Sequence, residues 1–415
     1  MTPGMSLQVQ RQSSIQSADP VTALSGYVDC FRADASRKLD PARRAAMGQF
    51  LTPLAASKLM ASMLTIRPKK LSVIDAGAGV GSLCAALVSE AVTWEDRPEE
   101  IVVTAYEVEP VLVDYLLITL DECAAVCMRA KIRFVGDVRK QDFIRAGVAI
   151  LQGQELFPGE RPNVNTAILN PPYRKIKTDS ETRRLLSAVG IETSNLYAAF
   201  LWLALRLLEP GGELVAITPR SFCNGPYFRP FRRAMMKSVS FRRVHVFESR
   251  ERAFSDDGVL QETVIFHAAK GAPRDKVTIT SSTGPDDEDM TVREIDHNQL
   301  IDERDPDAFL HFIPDDVGHR IRQRMRGLTA TLADLDLGVS TGRVVDFRAR
   351  GLLRAQPGDD TAPLIYPGHF AGGYIAWPNL KGRKPNAIAL LPGADDLLVL
   401  KQANPPPRCD DVTAV

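Results

Sequence analysis

The chain has 415 residues, is 45% hydrophobic and 25% charged, and sets 51 basic against 51 acidic residues. This length admits two domains and a further small one, and no apolar run reaches the roughly 18 residues that a membrane span needs. Zero net charge removes any whole-molecule attraction for a polyanion and leaves only a local basic face to provide one.

Residues 1–20 are polar, rich in Ser and Gln, and lack the basic start and apolar core of a signal peptide; they read as a disordered lead-in. From about 20 to 66 the pattern is helical, with Tyr27, Phe31, Met60, Met63 and Leu64 at apolar positions. Leu71 to Asp75 is a short buried strand that runs into Ala76-Gly77-Ala78-Gly79-Val80-Gly81 and then an apolar helix, Leu83 to Val92. Further strands follow at Ile101 to Tyr106, Ile132 to Val135, Thr166 to Leu169 and Glu213 to Thr218, with helices at Val111 to Met128 and Leu196 to Leu208. The second of these helices meets a stop at Glu209-Pro210-Gly211-Gly212. Arg243 to Phe247 and Thr263 to His267 add two more strands. Strands alternating with helices predict a doubly wound, mostly parallel α/β sheet, in which ligands bind beyond the C-terminal strand ends. Residues 21–270 are expected to form this domain, 271–290 an acidic linker, and 291–415 a smaller, less periodic α+β region rich in Gly, Pro and Arg.

Charge is uneven along the chain. Arg220, Arg229, Arg232, Arg233, Lys237, Arg242, Arg243, Arg250 and Arg252 face only Glu248 and Glu251, which suggests one basic side, although a solvated surface is the simpler reading of such a run. Cysteines are scattered at Cys30, Cys84, Cys123, Cys127, Cys223 and Cys409. Cys123 and Cys127 share a helix face, but no second pair or His cluster lies near them, so they read as core thiols of a reducing, cytoplasmic compartment, and no metal is expected.

The chemistry-bearing residues all fall at strand ends. After the first strand, Asp75, Gly77 and Gly79 form an acidic glycine loop, where small residues permit a sharp turn and close approach of a ligand. A dinucleotide site would usually start with Gly where Asp75 stands; the carboxylate suits a methionine-derived α-ammonium group instead. A tight turn without a ligand is the alternative. At the end of the second strand Glu107, preferred over Glu109, can accept ribose hydroxyls. After the third, Asp142 and Phe143 can bond and cover an adenine, with Asp137 as the competitor for the bonding role. After the fourth stands Asn170-Pro171-Pro172-Tyr173, which joins a side-chain amide, a carbonyl fixed by two prolines and an aromatic face. This set favours S-adenosylmethionine over NAD.

With Gly48-Gln49-Phe50-Leu51-Thr52-Pro53 upstream, the chain resembles the restriction-modification N6-adenine DNA methyltransferases (the Eco57I-like and PaeR7I-like class), whose target-recognition region is C-terminal. The resemblance covers residues 40 to 270 well and continues more weakly to about 380. It implies that Phe50, Thr52 and Pro53 close over the cofactor, although by itself Thr52-Pro53 could be a helix N-terminus with Thr52 as cap. It implies that Asn170 and Pro171 accept hydrogen bonds from an adenine amino group, that Tyr173 stacks on the base, and that the base is flipped out of double-stranded DNA. Phe254 is a candidate second stacking face, with a core aromatic as the alternative. Arg343, Arg348, Lys381, Arg383 and Lys384 are candidate phosphate or guanine contacts. The family's recognition domain runs further than this chain, so a truncated target-recognition domain is expected.

The expected function is site-specific adenine-N6 methylation of DNA by a monomer, with a separate restriction endonuclease as a possible companion on the same site. The alternatives are an inactive DNA- or cofactor-binding remnant, or a methyltransferase acting on protein glutamine or rRNA guanine.

Overall fold

The computed structural model describes residues 20–390 except 42–43, 45–46, 154–162, 249–261, 285–288, 303–304, 331, 333, 339–348 and 373. Phe254, Arg343 and Arg348 therefore lie outside the described residues, as does Cys409. Two compact units are present, Met1–Arg322 and Gln323–Val415.

The first unit is built on nine strands: β1 Lys70–Ala76, β2 Glu100–Tyr106, β3 Arg133–Arg139, β4 Val164–Leu169, β5 Leu208–Pro219, β6 Val239–Phe247, β7 Thr263–Lys270, β8 Lys276–Ser282 and β9 Thr291–Asp296. They form one sheet in the order β3-β2-β1-β4-β5-β7-β6-β8-β9. Pairing is parallel from β3 to β5, antiparallel on both sides of β7, parallel between β6 and β8, and antiparallel at β9.

Side-chain alternation makes this sheet the middle of three layers. Ile74 and Ala76 of β1, Ala167 and Leu169 of β4, and Leu214 and Ala216 of β5 pack on one side, with helices Phe143–Gln152 and Leu196–Leu207. Leu71 and Val73, Ile168, and Val215 and Ile217 pack on the other, with helices Pro20–Lys38, Ser82–Ala91 and Pro110–Arg129. β4 is covered on both faces and all six of its residues are buried; its buried Asn165 accepts from Ser72 N (2.9 Å) and donates to the Lys70 carbonyl (2.8 Å). Among the described residues no helix is long and apolar enough to cross a membrane.

The expected linker at 271–290 is corrected by β8, a strand of the main sheet, and the expected start of a separate region at 291 by β9. Both strands lie at the sheet's far edge. β8 buries Val277 and Ile279 but exposes Lys276, and β9 is mostly exposed. A half-solvated edge strand carries the polar composition of a connector.

The second unit carries a three-stranded sheet of short strands, β10 Leu353–Arg354, β11 Thr361–Pro363 and β14 Ala387–Ala389, with β14 in the centre. A hairpin, β12 Phe370–Ala371 with β13 Tyr374–Ile375, stands beside it in sequence. Its core is small, centred on Leu364, Tyr366 and Ile388. Buried Asn386 supplies much of the remaining order: its Oδ1 accepts from Asn379 N (2.7 Å) and pairs with His369 Nε2 (2.8 Å), and its carbonyl accepts from Trp377 Nε1 (2.7 Å).

Glu213, 2% exposed in the middle of β5, ties the helix-to-strand connection before β1 to the sheet. Its carboxylate accepts from Thr65 N (2.8 Å), Thr65 Oγ1 and Ile66 N (3.3 Å), and lies 3.2 Å from His267 Nε2 on β7. Burial pushes the carboxyl up, but His267 and the Thr65 donors outweigh it and hold the group below the ordinary glutamate range. Glu213→Leu is expected to cost about 1.5–3 kcal/mol at neutral pH, the size for losing hydrogen bonds to a charged group. A depressed carboxyl stabilises while ionised, so the difference from wild type is full above the ordinary glutamate pKa and shrinks as pH falls through the folded one. Urea unfolding of both proteins across the acid range measures this.

Candidate active site

The strand order reverses between β1 and β4, whose register pairs Val73 with Thr166 and Ile74 with Ala167. Connections leaving two such neighbours diverge, so a crevice opens beyond their C-terminal ends. The glycine loop lines one side of it. Gly77, Gly79 and Gly81 have φ of 78°, 59° and 88°, a left-handed backbone that favours glycine. Gly77 N and Ala78 N both donate to the Tyr106 carbonyl at the end of β2 (2.9 and 3.0 Å), and Gly79 N donates to Glu107 Oε2 (2.9 Å).

Glu107 is buried and aimed by backbone donors. Besides Gly79, Val108 N and Glu109 N donate to its Oε1, each at 2.8 Å. Burial raises its pKa and these three N–H groups oppose the rise. A carboxylate offers about four acceptor positions, so one on Oε2 remains for a ligand hydroxyl. Glu107 lines a cavity of about 150 Å³ together with Phe50, Gly77, Gly79, Asp142, Phe143, Asn170 and Pro172. Glu109 and Asp137 are not in its wall; Asp137 pairs with Arg139 at 2.8 Å. Asp142 caps the helix Phe143–Gln152, its Oδ1 accepting from Arg145 N (3.0 Å). Phe143 stands edge-on to Tyr106 at 5.1 Å and tilted to Phe200 at 5.2 Å, which gives this end of the cavity three aromatic rings. Tyr106, Val108, Leu112, Arg174 and Phe200 are also in the wall and were not singled out from sequence. Their signal was weak because apolar strand-end and helix positions look alike whether they face a core or a ligand. The upstream segment supplies Met47, Gln49, Phe50 and Leu51 as the roof of this cavity.

Three predicted cofactor residues stand outside this wall. Asp75 is fully buried beneath it: Oδ2 accepts from Cys84 Sγ (3.2 Å), while Oδ1 has no hydrogen-bond partner. Burial, with help from the charge on Glu107, raises its pKa to about 7, against the Cys84 hydrogen bond. An orphaned carboxylate oxygen under the glycine loop fits a site that awaits a cation. Pro53, not Thr52, is the N-cap of helix Leu54–Ser62, and it makes no side-chain cap bond. Thr52 turns its hydroxyl to Asn170.

Asn170 is held on both sides. Its Nδ2 donates to the Phe50 carbonyl (2.8 Å) and to Thr52 Oγ1 (3.0 Å), and its Oδ1 accepts from the Tyr173 hydroxyl (3.1 Å). A carbonyl only accepts, so the Phe50 contact fixes which end of the amide is which. Tyr173 OH also lies 3.2 Å from the Ile217 carbonyl, and Tyr173 N donates to the Gly48 carbonyl (2.9 Å). Gly48 has φ of 65°, and a Cβ there would come within 2.7 Å of the Tyr173 backbone. Segment 48–52 and the motif at 170–173 therefore meet backbone to backbone. Tyr173 packs tilted against Phe50 at 5.4 Å and edge-on to Tyr197 at 6.2 Å.

On the far side of Asn170 lies an open cavity of about 1210 Å³ with Tyr173, Tyr197, Arg220, Cys223 and Tyr227 in its wall. The basic run after β5 was read as one basic side; four of its arginines instead bond to backbone carbonyls around this cavity. Arg232 is fully buried and donates to the carbonyls of Phe222 (2.9 Å), Gly225 (2.7 Å) and Asp307 (3.0 and 2.8 Å). Arg220 donates to Phe312 O (2.7 Å), and Arg229 and Arg233 donate to Pro306 O (2.8 and 2.7 Å). They staple segment 306–312 to the turn after β5, because a bare carbonyl-rich strap needs donors.

A mostly parallel sheet with its order reversed between β1 and β4, an antiparallel β7 between β5 and β6, a glycine loop after β1 and an acid after β2 are the features of the S-adenosylmethionine-dependent methyltransferase fold. A model of the Eco57I restriction-modification methylase family matches residues 138–254. The Type II methyltransferase M.PstI of Providencia stuartii is 41% identical over 378 residues, 91% of this chain and 73% of its own. M.BsuBI of Bacillus subtilis, also a Type II methyltransferase, is 38% identical over 346 residues, 82% and 67% of the two chains. The chain belongs to the Type II methyltransferases of restriction-modification systems. In fold it is similar to a modification subunit of a type I restriction enzyme from Vibrio vulnificus YJ016, at 13% identity and a TM-score of 0.50 over 74% of this chain and 66% of that one.

Two outcomes follow from this geometry. Asp75→Asn is expected to raise thermal stability at pH 8. A carboxyl whose folded pKa is raised to about 7 destabilises increasingly as pH rises from its unfolded value, reaching the full cost above pH 7. The gain should shrink toward pH 4 in a thermal-melt series. Thr52→Val removes one of the two acceptors of Asn170 Nδ2. Loss of about 1 kcal/mol of positioning predicts a several-fold fall in methyl-transfer rate, with cofactor affinity unchanged by calorimetry.

Proposed function

We propose that this enzyme methylates the N6 amino group of adenine in double-stranded DNA, with S-adenosylmethionine as methyl donor. The observation that carries the proposal is the fixed amide of Asn170, whose motif touches both cavities: Asn170 and Pro172 line the small one and Tyr173 the large one. A donor bound on one side and a base entering from the other would meet at this motif.

When bound, S-adenosylmethionine would supply an electrophilic sulfonium methyl, held by Glu107 at its ribose, by Phe143 at its adenine, and with its ammonium toward Asp75. The protein's remaining work is at the target nitrogen. An exocyclic amino lone pair is delocalised into the ring and is a poor nucleophile. Asn170 Oδ1 and the Pro171 carbonyl would accept its two N–H hydrogens and favour a pyramidal nitrogen. Tyr173 gives up its hydroxyl contact with Asn170 Oδ1 readily, since Ile217 O is a second acceptor within 3.2 Å. Its ring, half-buried between Phe50 and Tyr197, is then a face on which the base can stack. Burial and the nearby Tyr197 hold the phenol well above its ordinary pKa, so it stays a neutral donor. Positioning of the nitrogen in line with the methyl supplies much of the remaining rate.

Attack from a ring carbon through a protein thiolate is disfavoured. Cys223 lines the large cavity, but burial pushes its thiol up to about 12. The second unit is proposed as the sequence-reading part, with exposed Lys381, Arg383 and Lys384 as phosphate or guanine contacts. A restriction endonuclease that cuts the same unmodified sequence would be its functional companion.

Labelled S-adenosylmethionine, DNA digestion and nucleoside chromatography test the proposal. N6-methyladenine is expected; label in N4-methylcytosine, or none in DNA, would overturn it. Asn170→Ala is expected to lower turnover by about a hundredfold or more, the size of losing one preorganised polar contact to the reacting group. Its cofactor affinity should stay within about threefold of wild type.

A further inference from the structure

We infer, on the basis of the DNA-methylation reading, that Tyr227 is a wedge that occupies the place in the duplex from which the target base is withdrawn. The aromatic side chains around the large cavity are graded by exposure. Tyr197 and Phe228 are 2% and 6% exposed and belong to its floor; Tyr173 is half-buried; Tyr227 is 78% exposed although it lines the same cavity. Tyr227 therefore stands at the mouth, where a helix stack would remain while one base passed inward.

The ring is presented on a stiff support. Tyr227 sits in the 3₁₀ turn Pro226–Phe228. Gly225 N donates to Ser221 O (3.0 Å) and Phe228 N to Gly225 O (3.1 Å), and buried Arg232 donates to the Gly225 carbonyl (2.7 Å). Phe228, the next residue, stacks on Tyr197 with centroids 5.4 Å apart and planes 29° from parallel. A Cβ at position 225 would come within 2.7 Å of Ser221 O, so the turn is packed closely on what precedes it. Such a base suits an aromatic that must be inserted without folding back. Exposed Lys175 on the same cavity offers a charge for a phosphate beside it. Tyr173 is not free for this task, since its ring is the face proposed to stack on the withdrawn base and its backbone is bound to Gly48.

A base–aromatic stack of this kind is sequence-tolerant and needs the ring, not the hydroxyl. The test begins by mapping the methylated sequence in DNA from cells that express the wild type. That sequence is then placed in a short duplex, and in a second duplex whose partner strand is abasic opposite the target, where extrusion costs less. On the intact duplex Tyr227→Ala should lose about ten- to a hundredfold in kcat/KM. On the abasic-partner duplex it should return to within about threefold of wild type. Tyr227→Phe should match wild type on both. Equal loss by Tyr227→Ala on both duplexes, or no loss on either, overturns the wedge. If the wild type methylates neither duplex, the DNA reading itself fails, and the two failures are distinguished by that control.

Discussion

The hydrogen bond from Asn170 Nδ2 to the Phe50 carbonyl is the contact on which the site depends. It joins a segment that precedes the first strand to the end of the fourth, 120 residues later. It also decides chemistry, because an amide whose nitrogen is committed must present its oxygen elsewhere. The Thr52 hydroxyl and the bond from Tyr173 N to the Gly48 carbonyl close the same joint. Only a glycine fits at position 48, since any side chain would meet the Tyr173 backbone. The roof of the small cavity and the wall of the large one are thus a single mechanical piece.

Beneath that joint two buried acids are treated differently. Glu107 is satisfied by three backbone donors and so is held in one orientation without a ligand. Asp75 has a thiol on one oxygen and nothing on the other. A buried carboxylate with an open acceptor lowers stability while it is ionised. The fold tolerates it because β1 is central, with β2 and β4 paired to either side.

The arginines after β5 show how one composition can serve two ends. A basic run suggests a surface for phosphates, yet Arg232 is wholly inside and its neighbours face carbonyls of segment 306–312. Guanidinium groups suit this, since their several donors can satisfy a strap of chain whose β pairing is an isolated bridge of Leu310 with Ile301. These arginines support one wall of the large cavity, whose exposed lining includes Lys175 and Tyr227.

Much of this protein is legible in the sequence. The strands of the parallel half read directly, because central strands are apolar on both faces and loops at their ends must be small or polar. Asp75, Gly77, Gly79, Glu107, Asp142, Phe143 and Asn170 to Tyr173 fall at those ends because local pattern fixes where a strand stops. The edge was not legible: β8 and β9 are half in water and have the composition of a linker. Local pattern also could not say that Thr52 serves Asn170 instead of a helix, that Asp142 and not Asp137 faces the cavity, or that Arg232 is buried. Those depend on which distant segment arrives opposite each side chain, and only the packing of the sheet against its helices and straps decides that.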